Sequence, residues 1–321
     1  MINELRIQNF RGFASLELKD LKPVNLVVGE NNSGKTSLLE AILLLCEPSR
    51  MGELPGLFRA NQGSPELRHF RWLLRDGAKR GQGVLSAKAG TAEWAIRMGR
   101  PGITPEDGGR GPSPVRMIYH QGSALWLQGN PSPKGRCRII STQNCEPNAL
   151  VTLVGKANRK GDGEETLQRL LARVDPRIKK VRVDPGEDGN QVIVDIGLSE
   201  LVPVSQAGQG VYRLVSILAD IIGEKPDVML IDEVENGLHH SIHEQIWAGL
   251  AETAEKLNVQ IFATTHSEEC LQAAHNAFLA RKEYDLSVIQ LFRVESGVQG
   301  RVLDRKLIEA GIDGNIDLRG L

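Results

Sequence analysis

Apolar and polar residues alternate at the opening of the chain with the two-residue period of a β-strand, over Ile2 to Ile7 and again over Ser15 to Leu18. Asn9-Phe10-Arg11-Gly12-Phe13 supplies the turn between them. Val24-Asn25-Leu26-Val27-Val28 is a third, mostly apolar strand, and a helical run from Ser37 to Cys46 follows the loop after it. From Pro48 to about Pro114 the composition turns to Gly, Pro and Arg, and residues 101–112 are too rich in turn formers for a regular element. Strand-like runs return at Val115–Tyr119 and Cys137–Ser141. A helix is expected over Glu164–Val174, where Leu167, Leu170 and Leu171 share one face and Pro176 ends the run. Ile178–Val183 and Val192–Ile196 alternate on either side of Asp184-Pro185-Gly186-Glu187-Asp188-Gly189-Asn190, a hairpin by turn chemistry.

A polar glycine-bearing loop, Val204 to Gly210, leads into an apolar helical pattern over Val211–Ile222, with Gly223 expected to end it. Val228 to Ile231 reads as a strand, Ser241–Leu257 as a helix, and Val259–Ala263 as a strand that runs into Thr264-Thr265-His266-Ser267. Glu268 and Glu269 open a further helix, where acids favour the first turn. The pattern holds no internal repeat and no heptad run of coiled-coil length.

The loop between the third strand and its helix, Gly29-Glu30-Asn31-Asn32-Ser33-Gly34-Lys35-Thr36, has the spacing GxxxxGKT in the strand–loop–helix context that a phosphate-binding loop requires. Glycines let the backbone curl around phosphate oxygens, so that amide groups and the positive end of the following helix meet the anion. Asn31, Asn32, Ser33, Gly34, Lys35, Thr36 and Ser37 are therefore candidate nucleotide-binding positions. Lys35 would reach the terminal phosphates of ATP, and the Thr36 hydroxyl would sit on Mg²⁺, a cation that prefers oxygen ligands. Asp232, at the end of Val228-Met229-Leu230-Ile231, would complete that metal site.

Composition adds bounds. A chain of 321 residues can bury a substantial core, and 39 basic against 40 acidic residues leave a net charge of -1. Such a balance provides no global field for indiscriminate nucleic-acid binding, though a local basic groove stays open. Cys46, Cys137, Cys145 and Cys270 form no CxxC pair, which points to buried thiols and a cytoplasmic home. No apolar run approaches the roughly 20 residues of a membrane span. His239 and His243 have the i, i+4 spacing of a metal pair but lack the glutamate that follows the first histidine in a protease helix. Lys179-Lys180-Val181-Arg182 reads as a solvated basic strand edge before it reads as a nucleic-acid contact.

Three blocks carry a resemblance: Leu5-Arg6-Ile7-Gln8-Asn9-Phe10-Arg11-Gly12-Phe13, Ile231-Asp232-Glu233-Val234-Glu235-Asn236-Gly237-Leu238-His239, and Thr264-Thr265-His266-Ser267-Glu268-Glu269-Cys270. With the phosphate-binding loop they resemble the ABC-type ATPase heads of the RecF, SMC and OLD-like groups, and more closely the compact bacterial AAA_15/AAA_21-type ATP-binding proteins. The resemblance implies an α/β P-loop fold of ABC-ATPase type: antiparallel N-terminal strands, a mainly parallel core sheet flanked by helices, and an inserted β-rich lobe. It implies one domain over 1–321, with a partly irregular insert at 48–195 and a second half at 196–321. Glu233 then corresponds to the general base and His266 to the switch histidine that senses the terminal phosphate. Ser205 to Gly210 corresponds to the signature segment, with Ser205, Gly208, Gln209 and Gly210 directed at ATP held by a second copy. The usual Leu-Ser-Gly-Gly-Gln is absent, so more than one register fits. Gln143 is a candidate metal-facing glutamine and Arg11 a candidate extra phosphate contact.

The function implied is a Mg-ATP-dependent ATPase that forms a homodimer through ATP and couples hydrolysis to DNA transactions or to a partner effector, in genome maintenance or phage defence. The alternative is a nucleotide-gated scaffold that holds a separate nuclease or toxin with little turnover of its own. A transporter motor fits poorly with the altered signature, and the base-reading Asn-Lys-x-Asp motif of a GTPase is missing; Asn158-Arg159-Lys160-Gly161-Asp162 only imitates it.

Overall fold

The computed structural model describes residues 1–54, 73–75, 82–99, 116–120, 123–129, 135–142, 145–186, 189–314 and 316–320. Strands β1 (Glu4–Phe10) and β2 (Phe13–Leu18) form the expected opening hairpin. Leu5 and Ile7 of β1 point inward opposite Leu18 and Leu16, while Arg6 and Gln8 face out. The turn is tight enough to hold both Asn9 and Arg11 in the left-handed region, at φ 50 and 51°. After β3 (Val24–Val28) and α1 (Lys35–Cys46), the chain returns to this hairpin with β4 (Gly83–Ala89) and β5 (Ala92–Gly99). Strands β6 (Arg116–His120) and β7 (Ser123–Gly129) complete an antiparallel sheet of order β2-β1-β4-β5-β7-β6. The hairpin β4–β5 lies inside the Gly-, Pro- and Arg-rich stretch from Pro48 to about Pro114 and ends before the turn-rich residues 101–112. Its alternation of Leu85 and Ala87, then Trp94, Ile96 and Met98, on the buried face was obscured by the turn formers on either side.

The second six-stranded sheet has the order β15-β14-β3-β13-β12-β8, built with β8 (Cys137–Ile140), β12 (Val228–Ile231), β13 (Gln260–Thr264), β14 (Leu286–Val294) and β15 (Gly297–Leu303). Every pairing within it is parallel except β14 with β15. Parallel strands covered on both faces have no solvated side, which is why β3, β12 and β13 are buried at every residue and read as apolar runs.

Helix α1 lies between the two sheets. Leu38, Leu39, Ala41, Ile42, Leu43, Leu44 and Leu45 are all fully buried, against Leu5, Ile7 and Phe13 of the antiparallel sheet and Val27, Leu230 and Phe262 of the core sheet. A helix apolar all round is a helix buried all round. The opposite face of the core sheet is covered by helices from α2 (Pro147–Asn158), α3 (Gly163–Val174), α4 (Gln209–Glu224), α5 (His243–Leu257) and α6 (Glu268–Leu279), with α7 (Arg305–Asp313) near the end of the chain. A small sheet of β9 (Lys180–Gly186), β10 (Gly189–Asp195) and β11 (Val202–Pro203) realises the second expected hairpin. Gly223 does not end its helix: it lies within α4, where a Cβ would come 3.0 Å from the Leu153 carbonyl of α2, and Lys225 at φ 47° makes the cap. Close helix packing, not termination, is what requires that glycine.

Candidate active site

Parallel neighbours β3, β13 and β12 deliver their carboxyl ends to one edge of the core sheet, where open α/β sheets gather their ligands. At the end of β3 the backbone turns at Gly29, where a Cβ would stand 2.4 Å from Ser33 Oγ and 2.5 Å from the Leu291 carbonyl. Gly34, at φ 96°, caps α1 with Phe13 packed against it, and Asn32 takes φ 61°. No side chain caps α1 and no acid occupies its first turn, so the amide groups of that turn remain open to an anion. Ser33 Oγ is buried without a protein partner. These features fit a phosphate group. Lys35 is buried and folds back, its Nζ donating to the carbonyls of Gly29 at 2.6 Å and Glu30 at 2.8 Å. Burial pushes its amine down to about 8, against the opposing pull of Asp232, Glu233 and Glu235.

The acidic end of β12 is fixed by one hydroxyl. Thr264 Oγ1 donates to Asp232 Oδ1 at 2.7 Å and accepts the Glu233 amide at 2.8 Å. Asp232 is buried, which raises its carboxyl above the usual range, while Thr264, His266, Arg213 and Lys35 pull the other way. A cation there would favour the charged carboxylate and so oppose the effect of burial. Among the described residues no cluster of three or more His, Cys, Asp or Glu gathers for a metal. Mg²⁺ does not need one, because it takes one or two protein oxygens and fills the rest with water and phosphate, as Thr36 and Asp232 would allow.

Glu233 stands at φ 47°, a left-handed conformation that turns its side chain out of the strand. Its Oε1 lies 3.5 Å from Nε2 of His266, and both side chains are a little over one-third exposed, open to solvent at the sheet edge. His266 follows β13, and its backbone N–H donates to Glu235 Oε1 at 2.8 Å. From α4 the buried Arg213 donates through Nη2 to the carbonyls of Asp232 at 2.6 Å and Glu233 at 2.9 Å, and through Nη1 to Ser141 at 2.9 Å. Burial lowers this guanidinium's pKa, and the three carboxylates oppose that. Arg319 Nη1 donates to the His266 carbonyl at 2.8 Å. Sequence reasoning did not find Arg213, the role of the Thr264 hydroxyl, Glu235 or Arg319.

The phosphate-binding loop, Asp232, Glu233 and His266 are thus gathered at one edge. Arg11 is held in a two-pronged pair with the buried Glu40 of α1, at 2.7 and 2.9 Å. Gln143 lies outside the described residues. Ser205, Gly208 and Gln209 are exposed, and among the described residues no hydrogen bond joins Ser205–Gly210 to the phosphate-binding loop. Gly210 instead approaches the turn after Glu233, where a Cβ would meet the Gly237 carbonyl at 2.8 Å. His239 pairs with Ser241 and stacks on His240, and His243 is buried.

Residues 1–70 match the family described as "AAA ATPase domain", and residues 138–271 the family described as "AAA domain, putative AbiEii toxin, Type IV TA system". A protein of Helicobacter pylori named "ATP/GTP phosphatase" is 23% identical, over 85% of this chain and 87% of its own length. The DNA replication and repair protein RecF of Enterococcus faecalis is 32% identical over 32% of this chain and 24% of its own. Among solved structures, an SMC head bound to the C-winged helix domain of ScpA superposes with a TM-score of 0.60 at 14% identity, covering 94% of this chain and 97% of that one. The SMC head of Thermotoga maritima superposes with a TM-score of 0.51 at 13% identity, covering 94% and 99%. Two sheets with α1 between them, the phosphate-binding loop after β3 and the superposition on SMC heads agree: the chain has the α/β P-loop fold of ABC-type ATPase heads, and two of its segments match AAA ATPase families.

Proposed function

We propose that the chain is a Mg-ATP-dependent ATPase whose heads pair on ATP and couple hydrolysis to DNA transactions or to a partner protein. The observation that carries this reading is the side-by-side placement of Glu233 and His266, 3.5 Å apart, beyond the phosphate-binding loop. In it, the amides of Asn31 to Ser37 and Lys35 bind the phosphates, while Thr36 and Asp232 hold the metal. Glu233 orients and polarises the attacking water, and His266 senses the terminal phosphate. Mg²⁺, when bound, supplies neutralisation of charge on the phosphate oxygens. One hydroxyl holds the Asp232 carboxylate and the Glu233 backbone amide, which fixes where the main chain of the base leaves the strand relative to the metal ligand.

The exposure of Ser205, Gly208 and Gln209 supports their use by a second copy, since a segment with no role toward its own loop is free to close another molecule's site. The names of relatives point in two directions, toward DNA replication and repair and toward nucleoside triphosphate hydrolysis with both ATP and GTP. No described helix is long and apolar enough to cross a membrane, and we place the protein's work in the cytoplasm. A nucleotide-gated scaffold holding a separate nuclease or toxin is the second reading, favoured by the match of residues 138–271 to the family described with AbiEii toxin. Phosphate release with and without linear duplex DNA separates the two. Stimulation that Glu233→Gln abolishes supports the DNA-coupled ATPase, and a slow rate indifferent to DNA supports the scaffold.

A further inference from the structure

Residues 316–320, beyond α7, are seated against the core sheet and α7. Gln290 of β14 is 1% exposed and gives its amide group to two carbonyls of this segment, Leu318 and Gly320, each at 2.8 Å. Its Oε1 is held in turn by Arg301 Nε at 2.8 Å. Leu318 packs on Gly311, where a Cβ would come within 2.5 Å of Leu318 Cδ2. Gly320 approaches the phosphate-binding loop, where a Cβ on it would stand 3.3 Å from Glu30 Oε1. A buried amide that finds its acceptors in a peripheral segment fixes that segment's register, because leaving Gln290 unpaired would carry the full desolvation penalty.

Arg319 sits between these two anchors. Its Nε and Nη2 meet the two carboxylate oxygens of Asp317 at 2.8 and 3.0 Å, and its Nη1 donates to the His266 carbonyl at 2.8 Å. Glu268 Oε2 lies 3.6 Å from Nη2. The backbone of His266 is therefore gripped on both sides, its N–H by Glu235 and its C=O by Arg319. Fixing the peptide planes before and after a residue fixes the direction of its Cα–Cβ bond, and so where the imidazole stands relative to Glu233.

We propose that Arg319 is a positioning residue for His266, held for that role by Asp317 and by the Gln290-anchored segment. Its fork is turned to protein acceptors, so it acts through His266 and not as a phosphate ligand. The inference rests on the ATPase reading of the site, and the experiment separates the two.

The test is a double-mutant cycle in the full chain, with Arg319→Ala, His266→Ala and the double variant assayed for ATP hydrolysis and Mg-ATP binding. Arg319→Ala is expected to lower kcat about 10-fold, with KM within about two-fold of wild type, since misplacement of a reacting group by about 1 Å costs up to ~100-fold. In the His266→Ala background the same change is expected to have no further effect. A loss that multiplies unchanged in that background, or an Arg319→Ala kcat equal to wild type, overturns the inference. Should Arg319→Ala fail to fold, the exposed variant Asp317→Asn decides, with a smaller kcat loss that also vanishes without the His266 side chain. A wild-type chain that releases no phosphate overturns the site reading and this inference together. A wild type that turns over and is slowed by His266→Ala but not by Arg319→Ala or Asp317→Asn overturns this inference alone.

Discussion

Thr264 donates its hydroxyl to Asp232 at 2.7 Å, and the same oxygen accepts the amide of Glu233 at 2.8 Å. One side chain on β13 therefore holds the Asp232 carboxylate and the Glu233 main chain at the end of β12. Thr264→Val keeps the branched shape and removes the oxygen. We expect it to fold, to bind ATP, and to lose about 10–100-fold in kcat, the usual cost of removing a group that orients a metal ligand. The Mg²⁺ concentration for half-maximal rate should rise as well, which a titration at saturating ATP measures.

Arg213 ties α4 to the same strand end by donating to the carbonyls of Ser141, Asp232 and Glu233. Arg213→Met leaves these buried acceptors without their donor. An unsatisfied buried acceptor costs about 1–3 kcal/mol, and partial relaxation brings the expected loss to about 2–4 kcal/mol in urea unfolding. Recovery to within about 0.5 kcal/mol of wild type would show that water replaces the guanidinium.

How far this site can be read from sequence follows the range of each interaction. A phosphate-binding loop is chemistry packed into eight consecutive residues, so Gly29 to Thr36 announces itself. Asp232, Glu233 and His266 stand at the ends of apolar runs and are legible for the same reason. Arg213 is 19, 20 and 72 residues from the carbonyls it holds and looks like one more charge on a helix, and Arg319 is 53 residues from His266. Nothing local marks either. Strands β14 and β15 are a different case: the largely apolar run Leu286 to Leu291 carries a local strand signal of its own. Arg11 was legible as a cation at a turn, but its buried partner Glu40 sits in the otherwise apolar run Leu38–Cys46 of α1.

Away from the site, Glu252 on α5 receives Arg169, Arg173 and Lys256. Burial pushes its carboxyl up, but the hydrogen bonds from Lys256 and Arg169 prevail and bring it from 4.5 to about 2. A folded-state pKa below the unfolded one contributes stability above pH 4.5, and that contribution is lost as pH falls toward 2. Its cationic partners are largely solvated, so the full shift overstates the energy, and Glu252→Gln should cost about 1–2 kcal/mol at pH 7. The gap between variant and wild type in urea unfolding should narrow below pH ~4 and close near pH ~2.

Gly29 has no room for a side chain, with Ser33 Oγ and the Leu291 carbonyl at 2.4 and 2.5 Å from a built Cβ. Gly29→Ala is expected to shift the loop and weaken ATP binding at least about 10-fold, with a stability loss of about 1–3 kcal/mol. Calorimetric titration with ATP in Mg²⁺ measures the first and urea unfolding the second.

The most direct test of the site is steady-state phosphate release from Mg-ATP by the wild-type chain and by Glu233→Gln, with ATP binding measured on the same samples. The wild type is expected to turn over, the variant to lose at least about 100-fold with binding retained, and a Lys35→Ala control to lose binding. Equal rates for wild type and Glu233→Gln, with Lys35→Ala binding ATP normally, would contradict this reading of the site.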